Sequence, residues 1–246
     1  MKKLLGKKDV RHDRRTLRLS KYLPTLPPVP NVWPAWSPGI TNWGVMLNNR
    51  LGDCTIAACG HMIRNWHNVL GSRSGPTDAD ILAAYEGAAG YNPADPATDQ
   101  GSDGLTVLNY WRQTGIGSDK ILAYLALDQG NVAHLKAAIY LFGGAWLGLA
   151  MPQTAENQST WHITAAGLQG AGTPGSWGGH AIPVFGYGQK TLPLVSWGAR
   201  YEMTWGFMLS YTDESYVALS RDWLNLKGLS PAGFNLAALQ ADLAAL

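Results

Sequence analysis

Asn48-Asn49-Arg50-Leu51-Gly52-Asp53-Cys54-Thr55-Ile56-Ala57-Ala58 is the stretch that decides how this chain is read. Asn42 to Gly52 has loop character, Asp53 has the chemistry of an N-cap, and Cys54–Leu70 has the pattern of a helix. Ile56, Ile63, Trp66 and Leu70 recur at helical spacing, which predicts a central, buried helix beginning at the cysteine. A thiol in the first turn of a helix feels the positive end of the macrodipole, and that favours the thiolate, the nucleophilic form. Cys59, in the middle of the same helix, reads as a small buried hydrophobe. Two cysteines five residues apart on a helix sit roughly 8–9 Å apart, too far for a disulfide. Nothing in the cysteine usage therefore calls for an oxidising compartment.

A thiolate nucleophile needs a base, and the chain offers His12, His61, His67, His134, His162 and His180. His61 lies two turns along the cysteine's own helix, about 10 Å away and beyond hydrogen-bond reach. His67 is farther, His12 lies in a basic N-terminal run, and His134 opens a helix and reads as a surface residue. His162, in a polar stretch, and His180 remain. His180 begins an apolar run, His180-Ala181-Ile182-Pro183-Val184-Phe185, straight after Gly178-Gly179. A base facing a cleft fits that placement.

Outward from these two residues, the chain divides by character. Thr77–Ala89, Gly104–Thr114 and Asn131–Leu141 read as helices, and Ala145–Ala150, His180–Tyr187, Leu192–Trp197 and Tyr216–Ser220 as strands joined by Gly-rich turns. Helices first and sheet second is an α+β layout with two lobes. Residues 24–38 contain six prolines together with Trp33 and Trp36, a strap expected to lie extended on the body. Leu236, Leu239, Leu243 and Leu246 mark a short amphipathic helix expected to dock on its own domain. The expected organisation is a basic arm over 1–22, a Pro-rich strap over 23–40, and one domain over 41–246.

Four stretches, in order over roughly residues 31–223, resemble the papain-like cysteine peptidases. The cysteine loop and helix are similar to that family's Gln-loop-Cys-helix motif, with Asn48 standing six residues before Cys54 where the family has Gln. Asp103-Gly104-Leu105 with Leu108, Tyr110, Trp111 and Gly115-Ile116 resembles the Gly-rich substrate edge and the helix after it. Asp128–Leu149 is similar to the helix and strand that cross into the second lobe. His180-Ala181 with Gly186-Tyr187-Gly188, then Ser196-Trp197-Gly198, resembles the histidine strand and the Ser-Trp-Gly that follows it. Asp53-Cys54 is also similar to the pair in bacteriocin-processing peptidases, which share the plan.

The resemblance implies a papain-like two-lobed fold, helical lobe first and antiparallel β lobe second. It implies Cys54 as nucleophile and His180 as proton carrier, with the Cys54 backbone N–H and the Asn48 amide stabilising the oxyanion. Asp103, Gly104, Ala181 and Trp197 would line the cleft, and the small Ala181 would leave room for an apolar specificity pocket. No cofactor and no metal is implied. The departure is Val195, which stands where the family places the Asn that orients the histidine. Ser196 is the residue next in line for that task. Two functions follow: a thiol hydrolase cutting peptide or amide bonds, or a catalytically weak or inactive structural protein on the same fold. The second would be a bacterial or phage-type component, for example of a phage particle, working through its arm.

The composition fits either. Of 246 residues, 46% are hydrophobic and 15% charged, with 11 Trp and 29 Gly, enough for a large core in a loop-rich domain. Residues 1–22 carry nine Lys/Arg against two Asp, leaving the body near −5 within a total of +2. That arm is expected either to fray in solvent or to meet an anionic partner, such as nucleic acid, an acidic protein face or an assembly neighbour in an oligomer. No apolar signal-peptide core and no transmembrane stretch is evident, so the expected setting is cytoplasmic or virion-associated.

Overall fold

The helix that starts at the cysteine is the axis of the structure. The computed structural model describes residues 2–34, 39–71, 74–221, 223 and 236–244. A four-residue turn α1 (Leu19–Tyr22) precedes α2 (Cys54–Leu70), which ends at Gly71 in the left-handed conformation. Nearly all of α2 is buried, as a central helix requires. Trp66 Nε1 and Asn65 Nδ2 donate to the carbonyls of Phe142 and Gly143, and Trp146 Nε1 to that of Thr55. These bonds tie α2 to the start of the sheet. Cys59 Sγ turns back to the Thr55 carbonyl, four residues behind it.

Against α2 pack α3 (Asp78–Ala89) and α4 (Gly104–Gln113), which form the helical lobe. Thr77 and Asp80 close a capping box at the start of α3, and Asp103 caps α4 by accepting from Thr106 N–H at 2.9 Å. The chain then enters the sheet: β1 (Ile121–Ala126), α5 (Val132–Phe142), β2 (Ala145–Met151), β3 (Thr160–Trp161), β4 (Gly178–Val184), β5 (Thr191–Ser196), β6 (Ala199–Thr204), α6 (Trp205–Tyr211), β7 (Thr212–Ser220) and α7 (Leu236–Ala244). The seven strands run in the order β1-β7-β2-β4-β5-β6-β3, antiparallel throughout except where β3 joins β6. The α+β layout with helical part first therefore holds. β1, however, lies ahead of α5, and β1, β6 and α6 are elements the residue pattern did not announce.

Pro-rich residues lie on the β lobe as a strap. Trp33 exchanges two backbone hydrogen bonds of 2.7 Å with Tyr187, and its ring meets Tyr140 edge-on at 4.8 Å. Trp36 lies outside the described residues. In α7, Leu239 is buried in the β-lobe core and Asp242 accepts from Tyr22 at 2.5 Å, so this helix docks on its own chain. Leu246, and the Leu236 and Leu243 side chains, lie outside the description.

Leu147 marks the middle of the β core: it is fully buried on β2, between β4 and β7. Leu147→Ala should lower unfolding free energy by about 2–5 kcal/mol in chemical denaturation, because neighbours held in a sheet cannot collapse into the void. A loss under about 1 kcal/mol would mean that this layer is loosely packed.

Candidate active site

Cys54 opens α2 and His180 is the third residue of β4, and these two elements pack against each other where the lobes meet. Both are buried. The backbone amides of Ala181, Gly6 and Lys7 lie close to the Cys54 thiol and favour its ionised form. Burial nevertheless dominates and pushes that thiol up to about 12, with the neighbouring Asp53 adding to the shift. Burial also drives His180 down to about 3. In this state the pair is a neutral thiol beside a neutral imidazole.

The imidazole is held on three sides. His180 Nε2 lies 2.7 Å from Ser196 Oγ. Trp197 stacks flat on the ring, centroids 4.5 Å apart and planes 12° from parallel, and Trp161 meets it edge-on at 6.4 Å. His180 Nδ1 is buried without a hydrogen-bond partner. Trp197 has φ +47°, a strained value for a bulky residue, and Met46 and Leu47 in the cysteine loop share that region at +53° and +68°. Such outliers cluster at sites where geometry matters more than local comfort.

Val195 is buried and apolar, and Ser196, one residue on, reaches the ring instead. Asn48 is buried beside the cysteine loop, but its amide donates to the Leu51 carbonyl at 3.1 Å and faces Asp53. Asp53 does not cap α2 with its side chain. Its carboxyl is buried with neither oxygen hydrogen-bonded, and burial raises it well above the usual carboxylate range. A protonated Asp53 removes a negative charge that would oppose a thiolate next door.

The other histidines are elsewhere engaged. His61 Nε2 lies 2.9 Å from the Gly44 carbonyl and His67 Nε2 2.8 Å from Asp119. His162 is exposed, against Thr160. His134 was expected on the surface but is buried, with Nδ1 3.4 Å from Asp128. Among the described residues, no three His, Cys, Asp or Glu side chains converge as a metal site would require.

The feature that the sequence did not disclose is the arm's course, which runs through the cleft. Gly6 and Lys7 N–H both point to the Gly179 carbonyl, at 3.2 and 3.0 Å, while Ser102 N–H donates to Gly6 O at 2.9 Å and Lys8 N–H to Ser102 O at 3.0 Å. Trp197 Nε1 donates to the Leu4 carbonyl, and Lys3 Nζ sits 5.3 Å over the Trp197 ring. Gly6 is crowded on both sides: a Cβ there would fall 1.7 Å from Gly52 O, and one on Gly101 would fall 1.9 Å from Gly6 O. Much of the arm's charge meets the chain's own body. Lys7 pairs with Asp213 and Glu214, Arg11 with Asp103, Arg18 with Asp128 and Lys21 with Asp242. Only a lone glycine within Lys2-Lys3-Leu4-Leu5-Gly6-Lys7-Lys8 hints at such close passage.

No protein-family model matches the sequence, and no curated protein is significantly similar to it. Solved structures are similar in shape. Xylellain, a cysteine protease from Xylella fastidiosa, superposes with a TM-score of 0.66 at 14% identity, over 89% of this chain and 97% of its own. Digestive procathepsin L 3 of Tenebrio molitor larval midgut gives 0.61 at 12% identity, over 87% and 75% of the two chains. Procathepsin B S9 from Trypanosoma congolense gives 0.58 at 10% identity, over 89% and 87%. The chain has the papain-like fold. Among its described residues no helix is long and apolar enough to cross a membrane.

Proposed function

We propose that this protein is a thiol hydrolase of peptide or amide bonds, kept latent by its own arm. The observation that carries the reading is His180, fixed by Ser196 and Trp197 with Nδ1 left open, on the strand that packs against the helix opened by Cys54. With the arm withdrawn, the Cys54 proton passes to Nδ1 while Nε2–H donates to Ser196 Oγ. The thiolate attacks the substrate carbonyl carbon and forms a thioester. The amine leaves with the proton from His180, and water then hydrolyses the thioester and returns the thiol. The Cys54 backbone N–H, and the Asn48 amide once released from Leu51, would face the oxyanion. Ser196 takes over the orienting task that Val195 cannot perform.

The docked arm supports latency rather than self-cleavage. The Gly6 and Lys7 N–H groups are turned to the Gly179 carbonyl and the Gly6 carbonyl accepts from Ser102, so the arm's backbone is engaged on both edges of the cleft rather than offered to the nucleophile. A second reading, a papain-fold scaffold without catalysis, is favoured by one observation: the Asn48 amide is committed to Leu51. A virion setting and an external partner for the arm belong to that reading.

The test is the pH dependence of Cys54 alkylation by iodoacetamide, mapped by peptide analysis, in a chain whose arm has been displaced by Gly6→Leu. The expected apparent thiol pKa lies well below the free value of about 8.5 and rises toward it in G6L/H180A. A thiol that titrates near 8.5 with or without His180 would leave the scaffold reading standing.

A further inference from the structure

Lys7 is the most unusual residue of the arm, since its side chain is only 1% exposed. Its Nζ sits 2.9 Å from Asp213 Oδ2, 3.5 Å from Glu214 Oε1 and 3.1 Å from the Lys8 carbonyl. Two consecutive strand residues normally face opposite sides of a sheet, and would not share one ammonium. Here the register slips: Gly148 on β2 pairs with Glu214, while its neighbour Leu149 pairs with Thr212. Asp213 is the extra residue of a β-bulge, and the bulge turns its carboxylate to the side occupied by Glu214.

Two glycines make the room. A Cβ on Gly148 would lie 2.3 Å from Lys7 Cε and 2.5 Å from Glu214 Cγ, and a Cβ on Gly104 would lie 2.9 Å from both Glu214 carboxylate oxygens. Tyr216 O–H donates to Glu214 Oε2 at 3.0 Å and steadies it from below. Burial raises the Glu214 carboxyl above its ordinary value, against the Lys7 charge. Even with Lys7 in place, Asp213 Oδ1 and Glu214 Oε1 accept no hydrogen bond. The pocket is built for positive charge and has acceptors to spare, and the arm residue that fills it adjoins the backbone that covers Cys54.

We propose that Gly104, Gly148, Asp213, Glu214 and Tyr216 form a recognition pocket for a basic side chain, which Lys7 fills in the latent state and a lysine or arginine of a peptide substrate fills when the arm leaves. The proposal rests on the hydrolase reading for the word substrate, and replaces the apolar pocket that Ala181 suggested. The buried Glu214 carboxylate, with half-buried Asp213 beside it, keeps its desolvation cost and loses its counter-charge when it faces an uncharged side chain, so selectivity for a basic residue is strong.

The experiment uses the full chain carrying Gly6→Leu, to displace the arm, and Cys54→Ser, to prevent turnover. A synthetic peptide of the sequence Lys3–Arg11 is titrated against it calorimetrically, beside the same peptide with norleucine or arginine in place of Lys7. The lysine and arginine peptides should bind about tenfold or more tighter than the norleucine peptide, and Glu214→Gln should remove most of that preference. Equal binding of the charged and norleucine peptides, no binding of any, or a preference untouched by Glu214→Gln would overturn the pocket. Repeating the titrations with Lys7→Gln in place of Gly6→Leu covers a folding defect in the first chain. Peptide turnover by the Gly6→Leu chain with Cys54 intact separates the two readings. Charge-selective binding without cleavage removes the hydrolase and keeps the pocket, whereas cleavage indifferent to Lys, Arg or Leu removes the pocket alone.

Discussion

Gly6→Leu is expected to raise the rate of Cys54 alkylation at pH 7.5 by at least tenfold and up to on the order of a thousandfold. The lower figure reflects access alone. A thiol held near 12 is almost wholly protonated at pH 7.5, whereas one returned to solvent at or below about 8.5 is a tenth ionised or more, which gives the upper figure. Leucine cannot be accommodated by a change of rotamer, because the clash at Gly6 is between its Cβ and backbone: Gly52 O at 1.7 Å. The arm must therefore leave between Leu5 and Lys8, while Leu19, Tyr22 and Leu23 remain in the β-lobe core and keep the rest of the chain in place. Lys2→Leu, at an exposed position, is the matched control and should alkylate like the parent. Equal rates for G6L and the parent, with both chains folded, would show that the arm is not what covers the thiol.

That prediction depends on long-range placement, and this is where legibility in the sequence ended. The helical lobe was legible because its signals are local. Asp103 before Gly104, Thr77 three residues ahead of Asp80, and Gly71 after Leu70 are caps whose chemistry acts within one turn. Cys54 and His180 were legible because each sits at the start of an element with a clear apolar pattern. The contact of Ser196 with His180 was legible because it is set by one strand's register against the next. β1 and β6 were not legible: β6 is exposed or half-buried at every position but Met203 and shows no alternation, and Ile121–Ala126 is apolar enough to read as either helix or strand. His134 was misread because its neighbour in space, Asp128, offers a polar partner that allows an imidazole to be buried.

The arm and the pocket lie at the far end of that scale. Residues 1–22 have a charge excess that states an appetite for anions but not their address, and the address proved to be five acidic positions spread from Asp103 to Asp242. Asp213 and Glu214 open a strand whose simple alternation would send them to opposite faces. Only the pairing with β2 reveals the bulge that brings them together. Neither a composition count nor a periodicity reports a two-against-one register, since the information resides in the partner strand.

Counting protons gives a sharper test of the Cys54–His180 pair than activity does. The docked state holds one proton between thiol and imidazole, with His180 driven down to about 3 by burial and Cys54 up to about 12. If release of the arm forms a thiolate–imidazolium pair, the proton merely moves from sulfur to nitrogen, and the released state also holds one. The pair itself then adds no pH dependence to release between about 4.5 and 6.5. In Cys54→Ser no such donor exists. The released imidazole returns toward its ordinary value near 6.5, while the docked one stays near 3, so the released state binds more protons than the docked state in that interval. A group whose docked pKa is depressed loses its docking contribution as pH falls, so acid should drive release of the C54S arm by up to about tenfold per pH unit below 6.5, or roughly a hundredfold across the window. Any proton taken up at Glu214, whose carboxyl is raised by burial, is common to both chains, so the difference between their profiles is what reports the Cys54–His180 pair. Release can be followed by a dye attached through Lys2→Cys, quenched by the neighbouring Trp197 while the arm is docked. A profile for C54S steeper than the parent's, with the difference abolished by adding His180→Gln, is the expected result. Equally steep profiles in parent and C54S would mean that Cys54 never gives its proton to His180, and the hydrolase reading would fall with it.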